Sequence, residues 1–476
     1  IGGSFIASTA EKITFTDGNE FGVITASPVS LTVNQPIGLV MGENASKIIN
    51  ESIVDDLGLQ VSSSETIALV GNGIELTGGG IVALSGQIAL ASLAPGNSVT
   101  LIPSAGSTNP SWSLAYQQFE SNNLSDSNSL RDIQLSAGAF LDTSSTLSND
   151  PNGSIYLLGR NISINGSEIY TDNFGVLQGG DLFILASERL SLNNQSIMSA
   201  STFAPGNAGN LTIAVPQGTV ELVDESRVLS QSDFTASGDA GNLLINAENL
   251  SVLDGSDIAT SSFGNGRGGQ LQINTPNGVT TVSGDSFNFN STVSSVTQGT
   301  QDAGEIQINT QALLVQAGGQ IQSGTFSTGN GGNTKINATE SVSVIGVSGN
   351  LRSQIVSSSD SNTGNAGFIE ISTGRLRVLD GASVFTSTNG AGQGGALTIR
   401  AEDVILAGEG IGPGGLFART EGTGDSGRLT LIADTLAIQD GARLTVSTDD
   451  DANPNNLGTV QDATITARSI TLNNGQ

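Results

Sequence analysis

The sequence predicts an all-β chain, a right-handed parallel β-helix in which three short parallel sheets run along roughly 16 rungs. Three observations lead there. A cassette of about thirty residues recurs along much of the chain, its apolar residues alternate with period two, and its turns are built from Asp, Asn and Gly. Three strands carrying two or three apolar side chains each cannot enclose a core alone, whereas stacked units can share one. A propeller blade would need four strands joined by antiparallel hairpins, and the two-residue period excludes a helical solenoid.

Taken in order, residues 1–60 alternate apolar and polar positions (Ile13-Thr-Phe15, Leu31-Thr-Val33) without the cassette, and Pro28 and Pro36 interrupt them. Residues 61–150 are expected to form compact rungs, from Ala68-Leu-Val70 and Ile74-Glu-Leu76 to Ile88-Ala-Leu90 and Val99-Thr-Leu101. A loop extension around Trp112, at 111–129, is expected to project from them. Residues 151–476 carry the regular repeats. Each cassette opens with Gly, any residue, then usually Leu or Ile, at Gly153, Gly180, Gly209, Gly241, Gly269, Gly304, Gly332, Gly367, Gly395 and Gly427, with spacings from 27 to 35. A second strand follows, as in Leu250-Ser-Val252 and Leu376-Arg-Val378.

Corner turns come next at Asp254-Gly255, Asp380-Gly381 and Asp440-Gly441, where Asp, Asn and Gly tolerate the left-handed backbone of a sharp corner. The third strand reads Ser256-Asp-Ile-Ala-Thr260 or Ala382-Ser-Val-Phe-Thr386. The loop after it, rich in Gly, Asn, Ser and Asp, is expected to absorb the length variation, because insertions at one edge of a rod cost little closure entropy. Phe203, Phe234, Phe263, Phe326, Phe385 and Phe417 sit near this loop. They are expected to be lids on the interior, with a surface aromatic strip for sugar as the alternative.

Composition restricts the chemistry. The chain has no His and no Cys, which removes a Ser-His-Asp triad, a Cys nucleophile, His or Cys zinc and haem sites, and disulfides. Lys plus Arg number 16 against 44 Asp plus Glu, a net charge of −28, which argues against nucleic acid. Only three residues are Lys, so no basic patch exists for anionic lipid, and no apolar run reaches the ~18 residues of a membrane helix. Neither a cofactor nor membrane insertion is expected. Asp449, Asp450 and Asp451, with Asn453 nearby, form a weak Ca²⁺ candidate, although a solvated acidic loop accounts for them better. Asp254, Asp380 and Asp440 with Arg375 and Arg377 could be taken for the carboxylate and guanidinium groups of a polysaccharide lyase. They recur at repeat-equivalent positions, however, which marks architecture, since a catalytic cluster is local. The chain is therefore expected not to be an enzyme.

Several stretches resemble the filamentous-haemagglutinin family of exoproteins exported by two-partner secretion, particularly its cyanobacterial-type large adhesins. Ile1-Gly-Gly-Ser-Phe-Ile-Ala-Ser-Thr9, Ile13-Thr-Phe-Thr-Asp-Gly18 and Pro36-Ile-Gly-Leu39 resemble the back half of that family's N-terminal secretion domain. Thr66-Ile-Ala-Leu-Val70 resembles the rungs that follow. The family's upstream Asn-Pro-Asn-Gly motif has no counterpart, since Asp150-Pro-Asn-Gly153 opens an ordinary repeat. The chain is thus expected to enter the family partway through that domain, and its ends to be covered by further chain or a neighbouring copy. The resemblance implies a secreted or cell-surface adhesin rod, an outer-membrane two-partner secretion transporter as partner, and binding to a host or neighbouring cell surface or polysaccharide. It is also compatible with export of an unfolded, cysteine-free chain that stacks rung by rung outside. A self-associating surface-layer or filament component, and a polysaccharide-binding or polysaccharide-degrading β-helix protein, are the alternatives.

Overall fold

A strand in this chain finds its hydrogen-bond partners one repeat further on, so each repeat climbs one step of a coil. The computed structural model describes residues 1–22, 35–103, 112–114, 127–145, 153–286, 289–360, 363–448 and 458–476. These form a right-handed-type parallel β-solenoid of about 13 turns. The turn number falls short of 16 because the described residues between 9 and 47 and between 93 and 132 leave the coil instead of adding rungs to it. With stacked strands about 4.8 Å apart, the coil rises about 60 Å.

The three faces are present, but two share one sheet. First and second cassette strands run on as a single bent strand, as in Ser154–Asn165, Leu211–Leu222 and Leu271–Ser283. Among the described residues they belong to one 17-stranded sheet, and the third strands stack in a 13-stranded one. The bend is marked by register shifts, for example between Val215 and Thr219 and between Thr275 and Val279. Pro216 and Pro276 fall at these bends, where a strand can dispense with a ladder donor.

Period-two patterning turns one side of every strand inward. Ile184, Ile213, Ile245, Ile273, Ile308, Ile336, Ile371 and Ile399 stack in register, one per rung, and each is buried. Asparagines line up on the outer side beside this column. The Asn274 amide donates to Asn246 at 2.8 Å, Asn309 to Asn274 at 2.9 Å and Asn337 to Asn309 at 3.0 Å. Amide ladders of this kind pin strand register.

The cassette glycines answer close approach, not a turn. None of Gly209, Gly241, Gly269, Gly304, Gly332, Gly367, Gly395 and Gly427 has positive φ. A Cβ on Gly241 would lie 1.9 Å from the Gly209 carbonyl oxygen, and one on Gly395 would lie 1.7 Å from that of Gly367. Gly153 begins this column above Gly86, and Gly180 lies under Gly209. Corner residues are the left-handed ones: Asp254 and Gly255 at φ 51° and 78°, Asp380 and Gly381 at 54° and 82°, Asp440 and Gly441 at 51° and 83°.

Length variation enters at a different corner from the one expected. Glycine spacings alternate from Gly269 to Gly395 as 35, 28, 35, 28. The long rungs carry an antiparallel hairpin between second and third faces, paired as Asp285–Ser286 with Phe289–Asn290 and Val347–Ser348 with Leu351–Arg352. A shorter loop at 408–414, closed by a Glu409–Pro413 bridge, takes the same place in the rung from Gly395. Each lies over the tight corner of a neighbouring rung. A Cβ on Gly318 would meet the Leu351 Cβ at 3.3 Å, and one on Gly381 would meet the Gly410 Cα at 2.5 Å. A paired hairpin is about two strands across, so it needs a short rung beside it.

Candidate functional site

Two regions depart from pure architecture. The first is the N-terminal module. Stretches 9–47 and 93–132 both leave the coil between first and second faces, and they meet as an antiparallel sheet of Trp112–Leu114, Ser98–Pro103, Pro36–Val40, Lys12–Phe15 and Glu20–Gly22. Val99 and Leu101 therefore belong to this side sheet and not to a rung. The reason is visible in the coil beneath. Inward residues Ile67, Leu69, Ile88 and Leu90 join the solenoid core, while the outward residues Ala68, Val70, Ala89, Ala91, Leu158 and Leu185 are apolar as well. Leu39, Met41, Val99 and Leu101 cover them, forming a second core. Further along, Thr212, Gln272, Gln307 and Lys335 stand at the equivalent outward positions, and no side sheet is needed there. Sequence reading missed this second core, although apolar residues on both faces of strands 66–71 and 87–92 signal it.

The returning end of the second insertion is tied to the coil at Asp132. Arg160 Nε and Nη2 donate to its two oxygens at 3.0 Å each, and the Asn161 side-chain amide donates at 3.0 Å. Burial alone would raise the Asp132 carboxyl, but the hydrogen bonds from Arg160 and Asn161, aided by the guanidinium charge, hold it below its ordinary range.

The second region is the outer surface of the repeats. The phenylalanines are not lids, because the interior is already filled by Ile, Leu and Val. Phe203 and Phe326 lie on the outside, and Phe234 is 66% exposed. The Phe174 and Phe203 rings stack at 4.9 Å, and those of Phe234 and Phe263 at 5.1 Å. Phe385 and Phe417 lie elsewhere, in register on adjacent third-face strands. There the projecting loops overhang two clefts. One, of about 230 Å³, is lined by Arg352, Gln354, Phe385, Pro413, Phe417 and Arg419. The other, of about 390 Å³, lies by the hairpin bearing Phe289 and includes Arg227, Asp257 and Gln320. Burial pushes the Asp257 carboxyl up, against hydrogen bonds from Thr292 and Ser294 and the field of Arg227.

The acidic candidates do not assemble. Asp254, Asp380 and Asp440 occupy corners of separate rungs, while Arg375 faces Asp403 at 3.8 Å and Arg377 is exposed. Asp449, Asp450 and Asp451 lie outside the described residues, as does most of 111–129. Among the described residues, no group of three or more carboxylates is placed to hold a metal ion, and no helix is long and apolar enough to cross a membrane.

A parallel solenoid whose first turns carry a side sheet defines the class: a β-solenoid protein with an N-terminal antiparallel side sheet. Residues 1–157 match the family model described as the TPS secretion domain. This match supports a two-partner secretion exoprotein of the filamentous-haemagglutinin type. No curated protein and no solved structure matches the chain. The matched segment ends within Ser154–Asn165, one rung before Leu185, the last fully buried outward residue of the second core, and two before polar Thr212. The domain implies a secreted protein that interacts with an outer-membrane transporter. Proteins of this family and fold are typically structural and not enzymatic.

Proposed function

We propose that the chain is the rod of an adhesin, with residues 1–157 as the secretion module and the later rungs as a binding stalk held outside the cell. The observation that carries this reading is the row of aromatic side chains on the outside of the repeats, at Phe174, Phe203, Phe234 and Phe326. The solenoid core does not need them, and large apolar groups left in water mark contact surfaces. The hairpin-roofed clefts lie on the same stalk. Its partner is a neighbouring or host cell surface, or a polysaccharide.

Retention of the full chain on cells and on immobilised polysaccharide tests the proposal. The triple variant Phe203→Ser, Phe234→Ser, Phe326→Ser is expected to lose most retention while melting at the temperature of the parent or above it. Equal retention of parent and variant would sink the aromatic-strip reading. Association of the chain with itself, without any ligand, would favour a filament component instead.

A further inference from the structure

The cleft between the second and third projecting loops brings together a link between the loops, two guanidinium groups and a pair of aromatic rings. Arg352, at the end of one hairpin, donates from Nη1 to the Pro413 carbonyl oxygen at 2.8 Å, tying the two loops across an intervening rung. Among the described residues it has no carboxylate partner. Arg419 lines the same cleft, so two guanidinium groups share it in a chain of net charge −28; burial lowers the Arg352 pKa, and the charge of Arg419 lowers it further. Arg419 lies 5.5 Å from the Phe385 ring centroid and pairs with Glu421 at 3.2 Å on its rim side, yet its Nε is buried without a hydrogen-bond partner. Phe385 and Phe417 stand in register on adjacent strands and both line the cleft, one rung or about 4.8 Å apart. Gly415 gives this floor its close fit, because a Cβ there would lie 1.8 Å from the Arg443 carbonyl oxygen.

A guanidinium without a carboxylate partner, with a second guanidinium in the same cleft, favours an anion there, and the fork geometry fits carboxylate or sulfate oxygens in bidentate fashion. Aromatic rings on the floor call for a flat apolar face. A single chemical unit supplies both: a sugar ring that stacks through its C–H face and carries an anionic substituent at its edge. Polyphosphates are held by extended basic surfaces, whereas this cleft offers two guanidinium groups beside two rings, which suits a single anionic sugar unit better than a nucleic-acid backbone. We infer that the Arg352–Arg419–Phe385–Phe417 cleft is a binding subsite for an anionic sugar unit of an acidic polysaccharide. The inference deepens the adhesive reading and rests on it for the setting in which such a polymer is met.

Titration calorimetry of the full chain tests it with three probes: a galacturonate tetrasaccharide, a sulfated galactan oligosaccharide and a neutral galactan oligosaccharide of equal length. At least one acidic probe is expected to bind at least about tenfold more tightly than the neutral one, a difference of about 1.4 kcal/mol. The preferred probe distinguishes carboxylate from sulfate. Arg352→Gln and Phe417→Ala are each expected to weaken acidic binding about tenfold, while Phe289→Ala in the other cleft leaves it unchanged. Because Arg352 also links two loops, Arg419→Gln and Phe417→Ala decide the matter should Arg352→Gln melt early. No acidic probe binding to the folded parent chain, or binding indifferent to these substitutions, overturns the inference. Cell retention that persists without acidic-sugar binding removes this subsite and leaves the adhesive reading standing. Acidic-sugar binding by a chain that no cell or polymer retains does the reverse.

Discussion

At the scale of single residues, the coil holds carboxyls raised by burial, Asp172 among them, and several corners in an unfavourable backbone region. Asp172 is buried, and its Oδ1 accepts hydrogen bonds from the Ser199 hydroxyl at 2.6 Å and the Ser201 amide at 2.8 Å. Burial pushes its pKa up to about 6, outweighing those donors. The folded state therefore holds the proton more tightly than the unfolded state does. This residue's contribution to stability increases as pH falls through about 6 and levels off below the ordinary carboxylate value of about 3.9. Asp172→Asn keeps an acceptor for both donors and removes the charge. The variant is expected to be more stable than the parent at pH 8 by about 3 kcal/mol, with the difference shrinking towards pH 4. Urea titrations at pH 8, 6 and 4 check this, and a constant difference would contradict it. Ala317 sits exposed at a corner with φ 48° beside Gly318. An L-residue there costs about 1 kcal/mol, so Ala317→Gly is expected to raise the melting temperature slightly.

At the scale of elements, the cassette was legible in the sequence and its justification only partly so. Alternation in segments such as Leu211-Thr-Ile213 fixes which side chains face inward, and Asp-Gly pairs mark where the chain must turn. The glycine that opens each cassette looks like another turn signal, but its role is to let two backbones touch. Gly241→Ala puts a methyl group 1.9 Å from the Gly209 carbonyl oxygen and 2.4 Å from Ser230 Oγ. It is expected to cost about 3 kcal/mol by chemical denaturation, whereas Gly3→Ala, with open space around it, should change little. Spacing between glycines reports the length of a rung and not where the extra residues go, which is why the length variation was expected after the third strand. The aromatic residues misled for a related reason: a Phe beside a loop reads the same whether it points in or out. Arg352 and Arg419 are far apart in the chain, and only the loop link at Pro413 brings them to one cleft.

At the scale of the whole molecule, nearest-neighbour stacking makes rungs removable in principle. Deletion of residues 241–303 joins Ala240 to Gly304 at equivalent cassette positions and removes two turns. The shortened chain is expected to fold cooperatively with a rod about 10 Å shorter, which small-angle scattering would measure, and loss of cooperative unfolding would contradict a modular stack. If folding outside the cell draws the chain through its transporter, the same deletion should slow surface export. The two-rung size of that deletion is not incidental. Gly269 to Gly332 and Gly332 to Gly395 each span 63 residues, one long rung and one short. A change of a single rung in this stretch would set two projecting loops side by side or leave a gap between them. The heritable unit of this stalk is therefore the pair, and copies of such a gene should differ in length by multiples of a doublet, with a cleft gained or lost each time.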